Sequence, residues 1–377
     1  MLFVTAGVGA GHNQAARALQ AGLAEADPTL PTDWVDILDY ANPLFRLAYA
    51  GGYATAVTRL PRAYGWGFRR TDRPGGPRRT LSERLRISME TLAVRKFTAW
   101  LMDQRPALVV HTHFLAPPVI GRLIDRGAGG LAHMVVVTDY YVHRYWYAEH
   151  VDRYFIAADS GIERLAGFGV DPGRITVSGI PVHPKWTAPF DADAARRAWK
   201  LPADRPLVIV SGGALFTVGP IDEMVERMCR LMPEAIIAVL AGTDKDLLGR
   251  LGRRSEAGGD CPQLRPVGFT DRVHELSRLA SLIVGKPGGM TVTESLTAGT
   301  PMLLLSPVPG QEAHNADWLA RGGAAVVARP HDDVAARAAE LIHDPPALQE
   351  LRRHALALAR PARDTIVQHI RRRLAEM

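Results

Sequence analysis

Side chains able to do chemistry are gathered in one stretch, GKPGGMTVTESLTAGTPMLLLSPVPGQEAHN, which occupies positions 285–315. A β-rich run from Leu282 to Val284 leads into Pro287, Gly288 and Gly289, and a helix is predicted from Thr291. Unbonded backbone N–H groups therefore collect where that helix begins, which makes a seat for an anion. Glu294, about one turn into the helix, can accept two hydrogen bonds from the hydroxyls of a ribose. Gln311, Glu312 and Asn315 follow the next strand in a polar loop and offer partners of the kind a sugar needs. An anion seat beside hydroxyl-binding side chains suits a nucleotide sugar.

Two further glycine turns carry the same grammar. GVGAGH, at 7–12, follows the run Leu2 to Thr5 and opens an alanine-rich amphipathic segment, Gln14 to Ala26. Gly7, Gly9 and Gly11 within five positions suggest a close approach to the backbone, although turn and packing roles would use the same glycines. A histidine at a helix N-terminus has its protonated form disfavoured by the dipole, so His12 is expected to be neutral and able to take a proton near pH 7; a capping histidine without chemistry is the bland alternative. Ser211, Gly212 and Gly213 end a later strand, and with Gly288 and Gly289 they could clasp a diphosphate without a metal. Asp139 and His143, in TDYYVHRYW with Trp146, come directly after the predicted strand Met134 to Thr138. Asp139 reads as a base, an acceptor ligand or a helix cap, and His143 as its assistant. His111 and His113 have no carboxylate at ligand spacing and read as a polar wall rather than a metal pair.

These residues need a scaffold that brings strand ends together. Predicted strands at Trp34–Leu38, Ala107–His111, Met134–Thr138 and Tyr154–Ala157 alternate with helices over Glu90–Gln104 and Ser160–Gly167. After a proline-bearing linker, 183–204, which carries a helical piece over Ala192–Lys200, the alternation restarts. Leu207–Ser211, Ala235–Ala241, Leu282–Val284, Met302–Leu305 and Ala324–Val327 read as strands, with helices over Ile221–Leu231, Asp332–His343 and Ala347–Ala359. Alternation of this kind means parallel sheets covered by helices, with ligands outside the carboxyl ends of the strands. The expected organisation is α/β: two Rossmann-like domains, 1–183 and 184–350, facing across a cleft, with a helical segment, 351–377, that packs back on the first.

At 377 residues two domains are the first expectation. No long uncharged apolar run is present and Met1 leads straight into a strand, so a cytoplasmic protein without a membrane span is expected. Cys229 and Cys261 lack metal-ligand spacing and read as ordinary thiols. The net charge of +6 is explained by one segment, Arg59 to Arg86, where nine arginines face only Asp72 and Glu83. Tyr64, Trp66 and Phe68 lie among them, and Pro61, Pro74, Gly75, Gly76 and Pro77 rule out one long helix. The segment reads as a basic, aromatic-tipped loop for an anionic membrane surface, with Trp66, Phe68, Arg69, Arg70, Arg78 and Arg79 at its contact and His143 toward an acceptor. A solvated loop or a phosphate-binding strip for nucleic acid would use the same residues. Nucleic acid is not expected, because it leaves the ordered PGG, Glu294 and PGQE unexplained.

Taken together, GVGAGHNQAARAL (7–19), the stretch from Val137 to Trp186, SGG (211–213) and KPGG followed by PGQE resemble the monogalactosyldiacylglycerol synthases and processive diacylglycerol glucosyltransferases. These are grouped with the lipid-linked N-acetylglucosaminyltransferases of peptidoglycan synthesis in one GT-B superfamily. The resemblance implies a UDP-sugar, either UDP-glucose or UDP-galactose, held by the C-terminal domain and a diacylglycerol-type lipid entering through the N-terminal one. It also implies inversion at the anomeric carbon, no cofactor, and a peripheral position on the inner face of the cell membrane. Under it, Glu294 holds the ribose, Gln311 and Glu312 read the hexose hydroxyls, and His12 serves catalysis. Ser211, Gly212, Gly288 and Gly289 lie about the phosphates, Gly11, Gly213 and Thr291 complete the donor site, and the backbone at Phe269 grips the uracil. The alternative on the same architecture is a UDP-N-acetylglucosamine-using transferase or an epimerase-like enzyme.

Overall fold

The computed structural model describes residues 1–377 except 73–75, 77, 78, 213–220, 257, 258, 330 and 331, with the side chains of 50, 53, 54 and 57 also left aside. The chain forms two compact units. One comprises Met1–Pro184, Val308–His314 and Arg360–Met377, the other Lys185–Pro307 and Asn315–Ala359.

In the first unit the chain runs β1 (Leu2–Thr5), α1 (Ala10–Ala26), β2 (Asp33–Asp36), α2 (Pro43–Arg59), α3 (Pro61–Thr71), α4 (Leu81–Ala93), α5 (Arg95–Gln104), β3 (Leu108–His111), α6 (Ala116–Asp125), β4 (Ala132–Val136), β5 (Arg153–Ile156), α7 (Ser160–Gly167) and β6 (Ile175–Val177). The strands make one parallel sheet in the order β2-β1-β3-β4-β5-β6. Its inner strands β1, β3, β4 and β5 are buried on both faces, as parallel strands under helices must be, and their apolar side chains form the core with Leu19, Leu23, Phe97 and Leu101 from the helices. The order reverses between β1 and β3, so the crevice of this sheet lies where the GVGAGH turn leaves β1 and His111 to His113 leave β3.

The second unit runs α8 (Ala192–Trp199), β7 (Leu207–Ser211), α9 (Ile221–Leu231), β8 (Ile236–Gly242), α10 (Lys245–Ser255), β9 (Leu264–Gly268), α11 (Val273–Leu279), β10 (Leu282–Gly285), α12 (Gly289–Ala298), β11 (Met302–Leu304), α13 (Gln311–Arg321), β12 (Ala325–Val327), α14 (Val334–Ile342) and α15 (Pro345–Leu358). The first residues of α13 are those grouped with the first unit. The sheet order is β12-β11-β10-β7-β8-β9, all parallel, and it reverses between β7 and β10. Gly285 pairs with Ser211 at that point. A Cβ on Gly285 would stand 2.8 Å from the Ser211 carbonyl oxygen, so only glycine lets the two strand ends close up there.

The last helix, α16 (Ala362–Ala375), returns to the first unit. Its Ile366, Val367 and Ile370 pack on Ala16, Leu19 and Leu23 of α1, and each such burial is worth about 1.5–3 kcal/mol. The alanines of α1 and Gly22, whose Cβ would stand 2.9 Å from Arg363, are small enough to admit it. The boundary thus falls between α15 and α16, later than the expected 351, because α15 packs on α12 of the second unit.

Three sequence expectations are corrected. The single helix over Glu90–Gln104 is two, α4 and α5, broken at Val94. The polar loop after β11 becomes helical from Gln311. The arginine-rich loop is largely helix: Pro61 starts α3, where its missing N–H costs nothing, and Thr80 starts α4 with a reciprocal cap to Glu83.

Candidate functional site

At the crevice of the first sheet, Gly9 takes a positive φ of 95° and α1 begins, placing His12 as its third residue. Gly7 leaves room for the Asp36 carboxylate, which a Cβ there would displace. Nδ1 of His12 lies 2.8 Å from the Thr112 carbonyl oxygen and 2.7 Å from the Thr138 hydroxyl. A carbonyl can only accept, so Nδ1 carries the proton and Nε2 keeps its lone pair. Burial lowers the pKa of His12 to about 4, and the Thr112 carbonyl acts in the opposite direction. The imidazole is therefore neutral at pH 7, as the sequence suggested, but desolvation rather than the helix dipole is the main cause.

His12 borders a cavity of about 450 Å³ within this unit. Tyr49, Tyr64, Phe68, Phe114, Tyr141, Tyr145 and Trp146 give it an aromatic wall, and Asp139, His113, His143 and Gln311 add polar atoms. The His113 ring meets that of His12 edge-on at 4.5 Å. His111, by contrast, is fully buried and pairs with His133 at 3.3 Å inside the sheet core, so only His113 belongs to the wall. Arg86 and Glu90, one helical turn apart on α4, close another side as an ion pair at 2.7 Å, with the guanidinium over Tyr145. His143 accepts from the Tyr145 N–H through Nδ1, and its Nε2 donates to the Phe68 carbonyl. It is a buried brace for α3 whose ring also faces the cavity.

The arginine segment is held down by its two acids. Asp72 takes the Arg144 N–H at 2.9 Å, the Arg164 guanidinium at 2.7 Å and the Tyr141 hydroxyl. Glu83 takes Arg144 at 2.8 Å. Arg79, expected at a membrane, makes a two-pronged pair with Glu149 and lies over Tyr147, so its guanidinium is committed within the protein. Arg69 and Arg70 are exposed, Arg70 lies 5.7 Å from the Trp66 ring centroid, and Trp66 is itself exposed. Phe68 turns inward, 4.4 Å from His143. Arg78 lies outside the described residues.

In the second unit, Gly288 is the N-cap of α12 and among the described residues no side chain caps the helix, so its first N–H groups lie open beside the ends of β7 and β10. Gly288, Gly289, Thr291 and Ser211 are partly exposed there, Gly212 is buried, and Gly213 lies outside the described residues. Glu294 sits lower on the same helix. Burial raises its pKa to about 8, against the nearby charge of Lys185 and a hydrogen bond from Trp186. Phe269, just past β9, is 80% exposed.

Asn315 does not reach a ligand: it is fully buried, and its amide donates to the Pro287 carbonyl at 2.9 Å, which fixes the glycine turn from behind. Glu312 accepts from the Val308 N–H at 3.1 Å, which ties the preceding loop to the first turn of α13. Gln311 accepts from the Tyr64 hydroxyl at 2.5 Å in the first unit. Gly310, at φ 124°, and Gly65 let the loop and α3 touch, since a Cβ on either would strike Tyr64 or Pro309. Thr112, Thr138, Tyr49, Arg86 and Glu90 escaped sequence reasoning because nothing local marks them. Lys185 and Trp186, in HPKW, fell in the linker and at the end of the stretch that carries the resemblance, with no role of their own. Among the described residues no group of three or more His, Cys, Asp or Glu is arranged to hold a metal ion.

Residues 12–182 match the family model described as Monogalactosyldiacylglycerol (MGDG) synthase, the resemblance already carried by the motifs. The processive diacylglycerol beta-glucosyltransferase of Bacillus pumilus is 30% identical over 223 residues, which are 59% of this chain and 57% of that protein's length. The match thus spans little more than half of the relative. Among solved structures, the UDP co-structure of S. aureus MnaA superposes with a TM-score of 0.66 at 14% identity, covering 100% of this chain and 97% of that one. MurG of Acinetobacter baumannii superposes at 0.59 with 17% identity, covering 98% of each. Such identities speak for the fold alone, and the fold of the two Rossmann-like units is GT-B.

Proposed function

We propose that this chain is a lipid glycosyltransferase that moves a hexose from UDP-glucose or UDP-galactose to the hydroxyl of a diacylglycerol-type acceptor, with inversion. The observation that carries the reading is His12: a neutral imidazole, held by Thr112 and Thr138 with Nε2 unprotonated, beside an aromatic cavity suited to a largely apolar acceptor. In the proposed step the acceptor oxygen attacks C1 of the hexose as its proton passes to His12 Nε2, and the C1–O bond to UDP breaks. Asp139, on the same cavity, assists by orienting the acceptor hydroxyl. The free N–H groups at the start of α12 and its dipole stabilise the departing diphosphate, without a metal, and Glu294 accepts from the ribose hydroxyls. The family match and the Bacillus relative support the lipid acceptor.

Exposed Leu44, Leu47, Leu60 and Trp66, set among exposed Arg59, Arg62, Arg69 and Arg70, support a peripheral position on the anionic inner face of the cell membrane. Among the described residues no helix is long and apolar enough to cross a membrane.

The test is product analysis by mass spectrometry after incubation with diacylglycerol in anionic liposomes and, separately, UDP-glucose, UDP-galactose and UDP-N-acetylglucosamine. A glycosylated lipid from one of the hexose donors is the expected outcome. Free sugar and UDP alone would sink the acceptor assignment, and an epimerised sugar nucleotide would transfer the chain to the alternative class.

A further inference from the structure

A second cavity, of about 460 Å³, lies in the first unit apart from the one that His12 borders. Arg84, Ile87 and Ser88 of α4 line one side, Pro118, Arg122 and Asp125 of α6 the other, and Arg79 and Glu149 complete it. Its charges are not evenly matched. Glu149 is taken by Arg79, and Asp125 by His150 at 2.7 Å. Arg84 and Arg122 have no carboxylate within ion-pair distance among the described residues, and Arg122 donates to the Ser88 hydroxyl, which fixes it at the cavity wall. Two guanidinium groups and a hydroxyl around an open polar space are the chemistry that holds a phosphate group.

The outer face of α4 indicates where that phosphate comes from. Leu81, Leu85, Met89 and Leu92 recur at helical spacing on α4 and are 83%, 59%, 57% and 68% exposed. On a surface helix this stripe should be polar, and here it is apolar for three turns. Arg84 and Ser88 are the immediate sequence neighbours of Leu85 and Met89, so one short helix presents both an anion seat and an apolar strip.

We infer that the α4–α6 cavity seats the phosphate of an anionic glycerophospholipid, whose acyl chains lie along the apolar face of α4. The inference deepens the membrane part of the reading above and rests on it. It differs from general attraction of a basic surface to a membrane, because it assigns recognition to Arg84, Arg122 and Ser88 rather than to the exposed Arg69 and Arg70.

The experiment follows hydrogen exchange of the segments 81–92 and 116–125 while dihexanoyl phosphatidic acid is added below its micelle concentration, with inorganic phosphate in a parallel arm. The wild-type chain should gain protection in both segments with the short-chain lipid. Arg84→Gln and the double variant Arg84→Gln/Arg122→Gln should lose it, and Arg69→Gln/Arg70→Gln should keep it. Arg84 is exposed, so its single variant separates loss of binding from loss of folding. In sedimentation with phosphatidylglycerol vesicles the double variant should bind about 10- to 30-fold more weakly, from about 1 kcal/mol for each basic residue near the surface. Equal protection of all variants, or protection by inorganic phosphate alone at the same concentration, would overturn the site. Vesicle binding that persists while the short-chain lipid protects nothing would leave the membrane reading standing and the cavity without its lipid. Loss of vesicle binding by the wild type would remove both.

Discussion

The two glycine turns, GVGAGH after β1 and KPGG after β10, solve the same problem with different materials. Both stand where the strand order of a parallel sheet reverses and both open a helix. The second offers backbone: uncapped N–H groups at α12, with Glu294 on the same helix and Asn315 bracing the turn from behind. The first offers a side chain, His12, whose tautomer is set by Thr112 and Thr138, residues 100 and 126 positions away. A backbone seat is written into one short stretch of sequence, whereas a tuned imidazole exists only after three strands have been brought side by side.

The largest effect that separates them is expected from His12→Ala. If the first turn does proton chemistry, kcat falls by about 10²–10⁴ while donor affinity changes little; equal losses in kcat and donor affinity would break the distinction. Glu294→Gln should act the other way, raising the donor KM about 2- to 10-fold with a smaller change in kcat, from about 0.5–1.5 kcal/mol for a hydrogen bond to a neutral acid. A kcat loss with KM unchanged would place Glu294 in the chemistry instead.

The two units should also respond oppositely to pH. His133, fully buried on β4 of the first unit, has its pKa lowered by burial to about 4. Between pH 6.5 and 4 the unfolded chain takes up a proton that the folded chain refuses, so stability is lost as pH falls, by on the order of 3 kcal/mol for this residue. Glu294, raised by burial to about 8, is still protonated in the folded chain when the unfolded one has released its proton. Its contribution therefore weakens stability as pH rises from about 4.5 to about 8. Urea midpoints across pH 4.5 to 8 should show that His133→Asn flattens the acid limb and Glu294→Gln the alkaline one, and parallel curves for the two variants would contradict the opposed slopes. The smallest expected effect is that of EDTA: turnover should be unchanged if the α12 amides alone hold the leaving diphosphate, and a loss restored by Mg²⁺ would show that the backbone seat is not sufficient.

The part of the fold that sequence made legible was the part with strong local pattern. β1 and β7 run over the predicted residues, and α7 and α9 as well, because continuous apolar strands and amphipathic helices announce themselves within one window. β6 and β9 were missed, being short or interrupted by polar residues and proline, and α2 and α6 were missed where glycine and proline blur the helical period. At the sites the same division holds. The KPGG turn and Glu294 needed only adjacency, while Asn315 and Gln311 could not be told apart by sequence. Both are amides in one polar run, yet Asn315 is buried under the Pro287 carbonyl and Gln311 meets Tyr64.

Residue order by itself determined two parallel sheets, the uncapped turn at α12, a histidine near a helix start and a concentration of arginine between positions 59 and 86. Only the tertiary structure decided which of those arginines are consumed by Glu90 and Glu149, that Asp72 and Glu83 are anchors, and that the His12 proton sits on Nδ1. The physical reason is one of range: hydrogen bonding and helix geometry act between near neighbours in the chain, whereas desolvation and charge pairing depend on which distant segments are packed alongside.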